Sequence, residues 1–402
     1  MGEKQYFLAV DGGGTSTEFL LVESVSRGEG RSSEGEEQGE GVRDCVLCSF
    51  SVGSTSVKSV GVSAARENLL EGAKRVGEAL RARGASPDEV FGVWGLSGCD
   101  SADDQARYER MVADSGFDSS RQLVCNDALL ALRAVTAGPG VVLVAGTGSV
   151  ALGVDAAGRV HRVGGWGYQV SDLGSGCWMG SRLIREALLY SDGCRAFDPV
   201  FDAVCTQAGC TYDQLGDVAQ RLTRADELAA FARIVLDYAP ESTPKGAGTP
   251  RGGAVEKSEV CRDIRRRAAE YLAGYITSVV NKAGEGETRE TGDAVDVVLS
   301  GGLFSNESFY EEATSTVRQR LAISQRPVSP SSPSCPLPHS SSRRSSLPTT
   351  LPLSPSDSSS SSLSHSRSHS YSVRFHRLEK SPTVGGINMA KRIAEKHSSQ
   401  RG

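Results

Sequence analysis

The chain has 402 residues, a formal net charge of −5 and a pI near 5.8. This length supports two domains with their own cores, and the acidic balance argues against a nucleic-acid partner. The N-terminal residues lack the pattern of a secretory signal, and no apolar run approaches the roughly 18–20 residues of a membrane helix, so we expect no membrane partner. Ten scattered cysteines predict reduced thiols in a cytoplasmic protein.

The first half of the chain alternates strand-like and helix-like patterns, which is typical of an α/β fold. Apolar runs predict strands at 7–10, 18–22, 45–52, 90–96 and 122–125. Apolar residues at a period of 3.6 predict a helix over 62–81, and a second helix is predicted at 128–135. Residues 27–41, which are rich in Gly, Glu and Ser, predict a solvated loop insertion.

The second half of the chain starts the alternation again. Strands are predicted at 141–144 and 295–299, a hairpin-like turn at 155–158, a Pro/Gly-rich loop at 240–253, and helices at 177–189, 225–238, 261–282 and 307–321. Residues 324–372 turn to Ser, Pro and Arg with almost no apolar periodicity, so we expect this segment to be disordered. A last helix is predicted at 383–396.

Two of the predicted strands run directly into turns rich in glycine and threonine. The first turn is Asp11-Gly12-Gly13-Gly14-Thr15, and the second is Gly146-Thr147-Gly148. Glycine lets backbone N–H groups converge on an anion, and the threonine hydroxyls add further donors. Because the turns lie in separate halves of the chain, they predict paired domains that hold one polyphosphate from both sides.

Two carboxylates stand at predicted strand ends, where phosphoryl transfer requires a metal ligand and a proton acceptor. Asp11 ends a buried strand beside the first turn, where it could hold Mg²⁺ directly or through water; capping of the turn is the structural alternative. Asp127 stands between a strand and a helix. A helix N-cap explains that position as well as a catalytic role does, and the helix dipole would keep the carboxylate ionised.

Five blocks in the chain resemble the N-acetylglucosamine kinase group of the BadF/BadG/BcrA/BcrD ATPase family, within the sugar kinase, Hsp70 and actin superfamily. They are DGGGTSTEFLL, LVCNDALLALRA, VVLVAGTGSVALG, GGWGYQVSDLGSGCWMG and VVLSGGLFSN. The resemblance covers residues 5–22, 50–310 and 380–396, with insertions. It implies an α/β protein with two RNase-H-like (actin/Hsp70-type) domains and a cleft between them.

The resemblance also implies transfer of a phosphoryl group from ATP to the 6-hydroxyl of N-acetylglucosamine, with Mg²⁺ and with Asp127 as the catalytic carboxylate. The residues that it implies for ATP are Gly13, Gly14, Thr15, Thr147, Gly148, Gly302 and Asn306. Those that it implies for the sugar are Ser56, Asp127, Gly165, Trp166 and Asp172, and Asp11 is the expected metal ligand. A small amino sugar and a second copy of the chain, in a homodimer, are the expected partners.

We expect an N-terminal domain at 1–125, with the insertion at about 27–41, and a C-terminal domain at 126–323. A disordered Ser/Pro-rich insertion at 324–372 and a C-terminal segment at 373–402 with the closing helix complete the predicted organisation.

The chain departs from the family pattern at two places. Ser56 stands where the group usually has an asparagine that helps to bind the sugar, and Leu173 replaces an acidic residue next to Asp172. Glucosamine or N-acetylmuramate therefore remain alternative acceptors, and a non-catalytic binding protein remains a further alternative. An ATPase activator with a shared iron–sulfur cluster is another, for which Cys177 is a loose analogue of the required cysteine.

Overall fold

A computed structural model describes residues 4–26, 42–238, 258–284, 294–324 and 372–399. The strands in these ranges are β1 (Lys4–Gly12), β2 (Ser16–Ser26), β3 (Val42–Gly53), β4 (Val90–Leu96), β5 (Gln122–Cys125), β6 (Gly140–Ala145), β7 (Ser149–Val154), β8 (Val160–Gly164), β9 (Ala294–Ser300) and β10 (Ser372–Arg377). The α-helices are α1 (Val57–Val60), α2 (Val62–Arg81), α3 (Ala102–Ala113), α4 (Ala128–Arg133), α5 (Gly176–Ser191), α6 (Val200–Ala208), α7 (Tyr212–Arg221), α8 (Ala225–Ala229), α9 (Ala232–Asp237), α10 (Glu259–Gly284), α11 (Glu307–Ser324) and α12 (Pro382–Ser399).

The strands form two five-stranded sheets with the same topology. The first has the order β3-β2-β1-β4-β5, and the second has the order β8-β7-β6-β9-β10. In each sheet the first three strands are antiparallel and the last two run parallel to the central strand. The carboxyl ends of the three parallel strands meet at one edge of each sheet, and the glycine turns lie at these edges.

Helix α4 lies between the two halves of the molecule and packs on both. Its Leu130 joins a buried cluster with Phe7, Ala9 and Val93 of the first sheet. Its other face joins a cluster with strands of the second sheet; the helix contributes Ala128, Ala131 and Leu132. Any residue at the start of α4 is therefore held at the junction of the two halves.

The last helix returns to the first half. Strand β10 pairs with β9 in the second sheet, whereas α12 packs on β1, β4 and α4. Buried apolar residues on one face of α12 make this contact, namely Ile387, Ala390 and Ala394. The C-terminal segment therefore contributes one element to each half. The predicted domain boundaries stay a prediction.

The predicted α/β class is confirmed, and the predicted elements occur within a few residues of their expected bounds. One predicted helix, 225–238, is instead two short helices, α8 and α9. At the break the amide of Phe231 bonds to the carbonyl of Leu228, three residues back, so the α-helical pattern is interrupted. Helices α1, α3, α6 and α7 and strand β10 were not predicted, and strands β7 and β8 were indicated only by the hairpin-like turn between them. The expected loops at 27–41 and 240–253, and residues 325–371 of the expected insertion, lie outside the described residues.

Within the described ranges, every helix is either too short or too polar to cross a lipid bilayer.

Candidate active site

The first glycine turn joins β1 to β2 and is braced by the segment after β3. The Ser54 hydroxyl donates to the carbonyl of Gly13 at 2.9 Å, and the hydroxyls of Thr17 and Thr55 lie 2.9 Å apart beneath the turn. Gly14 and Thr15 at its tip are exposed. The segment after β3 thus fixes the base of the turn, while the tip of the turn faces solvent, as a phosphate-binding turn requires.

Ser56 lies in the same segment and begins α1. It is buried, its amide donates to the Ser54 hydroxyl at 3.1 Å, and its side chain makes no capping hydrogen bond to the helix. The structure therefore brings Ser56 next to the first turn.

Asp11 and Asp127 lie at the carboxyl edge of the first sheet. Burial, together with repulsion from Glu18, raises the pKa of Asp11 to about 6. Burial, together with repulsion from Asp11, raises the pKa of Asp127 to about 7. Asp127 also caps α4, because its Oδ1 accepts from the amide of Ala128 at 3.0 Å. The two sequence interpretations of Asp127 thus coexist: it is an N-cap, and its pKa lies where a general base operates.

The second glycine turn joins β6 to β7 and packs on the start of α5. The carbonyls of Gly146 and Thr147 accept from the amides of Gly176 and Cys177, at 2.8 and 3.0 Å. A Cβ on Gly148 would lie 2.6 Å from Oδ2 of Asp172. The second turn and the carboxylate of the predicted sugar loop are therefore in direct contact, and a side chain at position 148 would displace that carboxylate.

Asp172 is buried and has a φ of +51°, the one left-handed conformation among the described non-glycine residues. Its Oδ1 accepts from the amide of Gly167 at 3.3 Å, which ties the two ends of the loop together. Burial raises the pKa of this carboxyl above its usual value, against the opposing effect of that hydrogen bond and of the Arg162 charge. Such a backbone conformation at a buried carboxylate is typical of a functional site.

Trp166 stands at the tip of the predicted sugar loop, between the left-handed glycines Gly165 and Gly167. Trp166 is 70% exposed, so it is not part of a hydrophobic core. The guanidinium of Arg162 stacks on the indole, 4.3 Å from the ring centroid. A large exposed ring held by a cation offers a flat apolar surface to a ligand.

The turn after β9 meets the second glycine turn. Gly301 has a φ of +104°, and a Cβ there would lie 2.4 Å from the carbonyl oxygen of Ala145. Gly302 is exposed beside it. Asn306 is engaged in the fold, since its Oδ1 accepts from the amide of Phe309 at 2.9 Å and caps α11. Its predicted contact with ATP stays a prediction.

Three residues around the predicted site were not predicted from the sequence: Asp100, Asn126 and Arg162. Asp100 follows β4, so it stands at the same sheet edge as Asp11 and Asp127. That position after a buried strand was a usable signal for Asp100. The contact of Arg162 with Asp100 joins residues of different sheets, and no local pattern in the sequence reports it.

The residues at this sheet edge could bind a divalent cation through a single protein carboxylate, that of Asp11. No group of three or more potential ligands occurs among the described histidine, cysteine, aspartate and glutamate side chains. Mg²⁺ in phosphoryl-transfer sites usually takes one or two protein carboxylates and completes its shell with water and phosphate oxygens. The partly buried carboxylate of Asp11, beside the first turn, meets that requirement.

The curated relatives of the chain include kinases of amino sugars. The chain is 30% identical over 196 residues to the N-acetyl-D-glucosamine kinase of Dictyostelium discoideum, which covers 47% of this chain and 56% of that protein. It is 28% identical over 199 residues to a glucosamine kinase of Vibrio cholerae, covering 50% of this chain and 60% of that protein. The matches thus span little more than half the length of these relatives.

A crystal structure from Chromobacterium violaceum, provisionally assigned as an N-acetylglucosamine kinase, superposes with a TM-score of 0.55 at 21% identity. The match covers 79% of this chain and 93% of that one. This likeness confirms the predicted fold of two RNase-H-like domains, which the repeated sheet topology also indicates. The sequence model of the BadF/BadG/BcrA/BcrD ATPase family matches residues 8–240, more than half of the chain. The chain therefore belongs to the BadF/BadG/BcrA/BcrD ATPase family.

Proposed function

We propose that the protein is an ATP-dependent amino-sugar kinase that phosphorylates N-acetylglucosamine at its 6-hydroxyl. The observation that carries the proposal is the position of Asp127, at the start of the helix between the two halves, with a pKa raised to about 7. The relatives named above, which are kinases of amino sugars, support the substrate class.

In this mechanism Asp127 accepts the proton of the sugar hydroxyl as that oxygen attacks the γ-phosphorus and the bond to the ADP oxygen breaks. A carboxylate with a pKa near 7 is ionised in much of the population at neutral pH and is a stronger base than an ordinary aspartate. Removal of the proton makes the hydroxyl oxygen a better nucleophile. Asp127 is thus the proposed catalytic residue.

The two glycine turns would hold the polyphosphate, with the Thr15 and Thr147 hydroxyls and the backbone amides of Gly13, Gly14 and Gly148 as donors. Asp11 would hold Mg²⁺, which supplies neutralisation of the phosphate charge when it is bound. Gly302 and Asn306 would contact the nucleoside. Each of these contacts stays a proposal.

Trp166, Gly165 and Asp172 would bind the sugar. The exposed indole offers a flat face for the ring or its acyl group, and a carboxylate accepts from ring hydroxyls. Closure of the two domains would exclude water, so that the sugar and not water receives the phosphoryl group. We place the reaction in the cytoplasm, in keeping with the free thiols of all described cysteines.

The rival function as an iron–sulfur ATPase activator requires a cysteine that faces a partner subunit. Cys177 is 2% exposed inside the start of α5, and burial raises the pKa of its thiol. This environment favours the kinase proposal, since a cluster ligand is an accessible thiolate.

The proposal is tested by ADP release with N-acetylglucosamine, N-acetylmannosamine, glucosamine, N-acetylmuramate and glucose. We expect N-acetylglucosamine to give the largest stimulation and the phosphate to be on the 6-oxygen by NMR. If another amino sugar gives the largest stimulation, the acceptor is wrong but the kinase class stands. If no sugar stimulates ADP release, the proposed function is wrong.

Ser56→Asn is expected to lower the KM for N-acetylglucosamine about 2- to 10-fold, the effect of one added hydrogen bond. The Ser56 side chain does not cap α1, so the substitution removes no capping hydrogen bond. Steady-state kinetics with varied sugar measure the change, and Ser63→Asn serves as the control, because Ser63 is exposed in α2 and its hydroxyl bonds to Glu67 of the same helix. An unchanged or higher KM for Ser56→Asn would remove Ser56 from the sugar site.

A further inference from the structure

One ion pair joins the two halves of the molecule beside the candidate site. Arg162 of β8 places its Nη1 3.1 Å from Oδ1 of Asp100, which follows β4 in the first half. The Arg162 and Asp100 side chains are only 14% and 12% exposed. The Arg162 Nη1 is buried and does not point directly at the carboxylate, so it has no hydrogen bond in this arrangement.

In the second half, Arg162 fixes the loop that carries Trp166. Its Nε donates to the carbonyl of Gly164 at 3.0 Å, and its Nη2 donates to the carbonyl of Gly165. The same guanidinium stacks on the indole of Trp166. One side chain therefore holds both the backbone and the ring of this loop.

In the first half, Asp100 is connected to the start of α4. The side-chain Nδ2 of Asn126 donates to Asp100 Oδ1 at 2.9 Å, and the side-chain Oδ1 of Asn126 accepts from the backbone amide of Ala128 at 3.0 Å. That amide also donates to Asp127 Oδ1. A continuous set of contacts thus runs from Trp166 through Arg162, Asp100 and Asn126 to Asp127.

Other charges around Asp100 do not replace Arg162. Lys58 Nζ lies 2.6 Å from Asp100 Oδ2, but its side chain is 54% exposed and belongs to the same half as Asp100. Lys58 also lies 3.6 Å from Asp104. It can neutralise Asp100, but it cannot connect Asp100 to the loop of Trp166.

We propose that Arg162 and Asp100 form a cross-domain latch that holds the Trp166 loop in register with Asp127, so that the sugar is bound in the orientation that phosphoryl transfer requires. Arg162 and Asp100 are then positioning residues, since they act on the sugar through Trp166 and Asp127. The kinetic part of this inference rests on the proposed function.

The latch is tested with Arg162→Met, Asp100→Asn and the double variant. Each single substitution is expected to raise the KM for N-acetylglucosamine about tenfold or more, within the 5- to 150-fold range of typical coupling between sites. The KM for ATP should change less than the KM for the sugar, since the contacts of the Arg162 side chain are with Asp100 and the Trp166 loop and not with residues of the glycine turns. The two effects should be less than additive in the double variant, because the contact between Arg162 and Asp100 is lost in both single variants.

The matched control is Arg159→Met. Arg159 is also paired with an aspartate, Asp155, at 2.7 Å, but it is 63% exposed and both residues belong to the second half. Its loss should leave both KM values unchanged. Additive effects of the two latch substitutions, or an unchanged sugar KM in both single variants, would overturn the proposal.

A readout without catalysis separates this inference from the proposed function. Small-angle X-ray scattering of the ligand-free protein should give a larger radius of gyration for Arg162→Met and Asp100→Asn than for the parent and for Arg159→Met. If no sugar stimulates ADP release but this expansion is observed, the proposed function is wrong and the latch stands. If the sugar is phosphorylated and neither variant expands, the latch is wrong. Asp100→Asn, which is nearly isosteric, keeps the test valid if Arg162→Met does not fold.

Discussion

Asp127→Asn is expected to lower kcat about 100- to 10,000-fold, the usual contribution of a general base, while making the folded protein more stable at neutral pH. The amide cannot accept the proton of the sugar hydroxyl. It can still accept from the amide of Ala128, since Asn is as good a helix cap as Asp. Activity and stability should therefore change in opposite directions.

The gain in stability follows from the direction of the pKa shift. Burial and the charge of Asp11 raise the pKa of Asp127 to about 7 from an ordinary value of 3.8. The folded state thus binds this proton more tightly than the unfolded state, and the charged carboxylate destabilises the fold once the pH exceeds 3.8. This loss of stability grows as the pH rises to about 7 and is constant at higher pH. We expect the Asn variant to be more stable by on the order of 1–2 kcal/mol at pH 8 and by much less at pH 4.5.

Urea unfolding of the metal-free protein at these two pH values measures the effect, and ADP release measures the activity. Asp118→Asn is the matched control, because Asp118 also caps a short helix but has a lowered pKa, mainly through its hydrogen bonds from Ser120. This control should keep full activity and gain no stability at pH 8. An Asp127→Asn protein that is fully active would refute the catalytic role. An Asp127→Asn protein that is less stable than the parent at pH 8 would refute the claim that the ionised carboxylate destabilises the fold.

Local patterns in the sequence predicted most of the helices and strands that the structure contains. The bounds of α2, β4 and β5 agree to the residue, because the apolar period of the helix and the unbroken apolar runs of the two strands identify them without tertiary context. The two glycine turns were found for the same reason, since each directly follows a buried strand.

Strand β10 was missed, although its pattern alternates. Val373 and Phe375 pack against the core of the second half, whereas Arg374 and His376 contact Asp296 of β9. A six-residue strand at the end of a long polar segment gives too weak a local signal. The repeated topology would have identified it, because the second sheet needs a fifth strand parallel to β9 to match the first.

The candidate site was predicted in its separate parts but not in its connections. The glycine turns, Asp11 and Asp127 lie at strand ends, where a local pattern marks them, whereas the residues predicted for the sugar and the nucleoside came from the family resemblance. The contact between Asp100 and Arg162 joins residues that are far apart in sequence and belong to different sheets. Charged residues near strand ends are common, so only the three-dimensional structure selects this pair.

The second large effect concerns α12, whose close approach to α4 depends on one glycine. Gly385 lies inside α12, and a Cβ there would be 1.8 Å from the carbonyl oxygen of Leu130 and 2.6 Å from the amide nitrogen of Ala134. Both contacts are to the backbone of the segment around α4, which cannot rotate away. Gly385→Ala must therefore push the two helices apart.

In an unconstrained helix the same substitution would stabilise by about 1 kcal/mol, because alanine is the better helix former. Overpacking costs about 1–3 kcal/mol, and more where the clash is with backbone. We expect the clash to dominate and to lower the free energy of unfolding by about 2 kcal/mol. Because α4 carries Asp127 at its start, kcat should fall as well.

Gly216→Ala in α7 separates the two effects, since nothing lies within 4 Å of a Cβ at that position. It should leave kcat unchanged and be neutral or slightly stabilising in urea unfolding. If Gly385→Ala behaves in the same way, α12 does not pack on α4 in solution. If Gly385→Ala is destabilised but keeps full kcat, the position of Asp127 is set by Asn126 and the sheets alone, and α12 supports the fold without positioning the catalytic carboxylate.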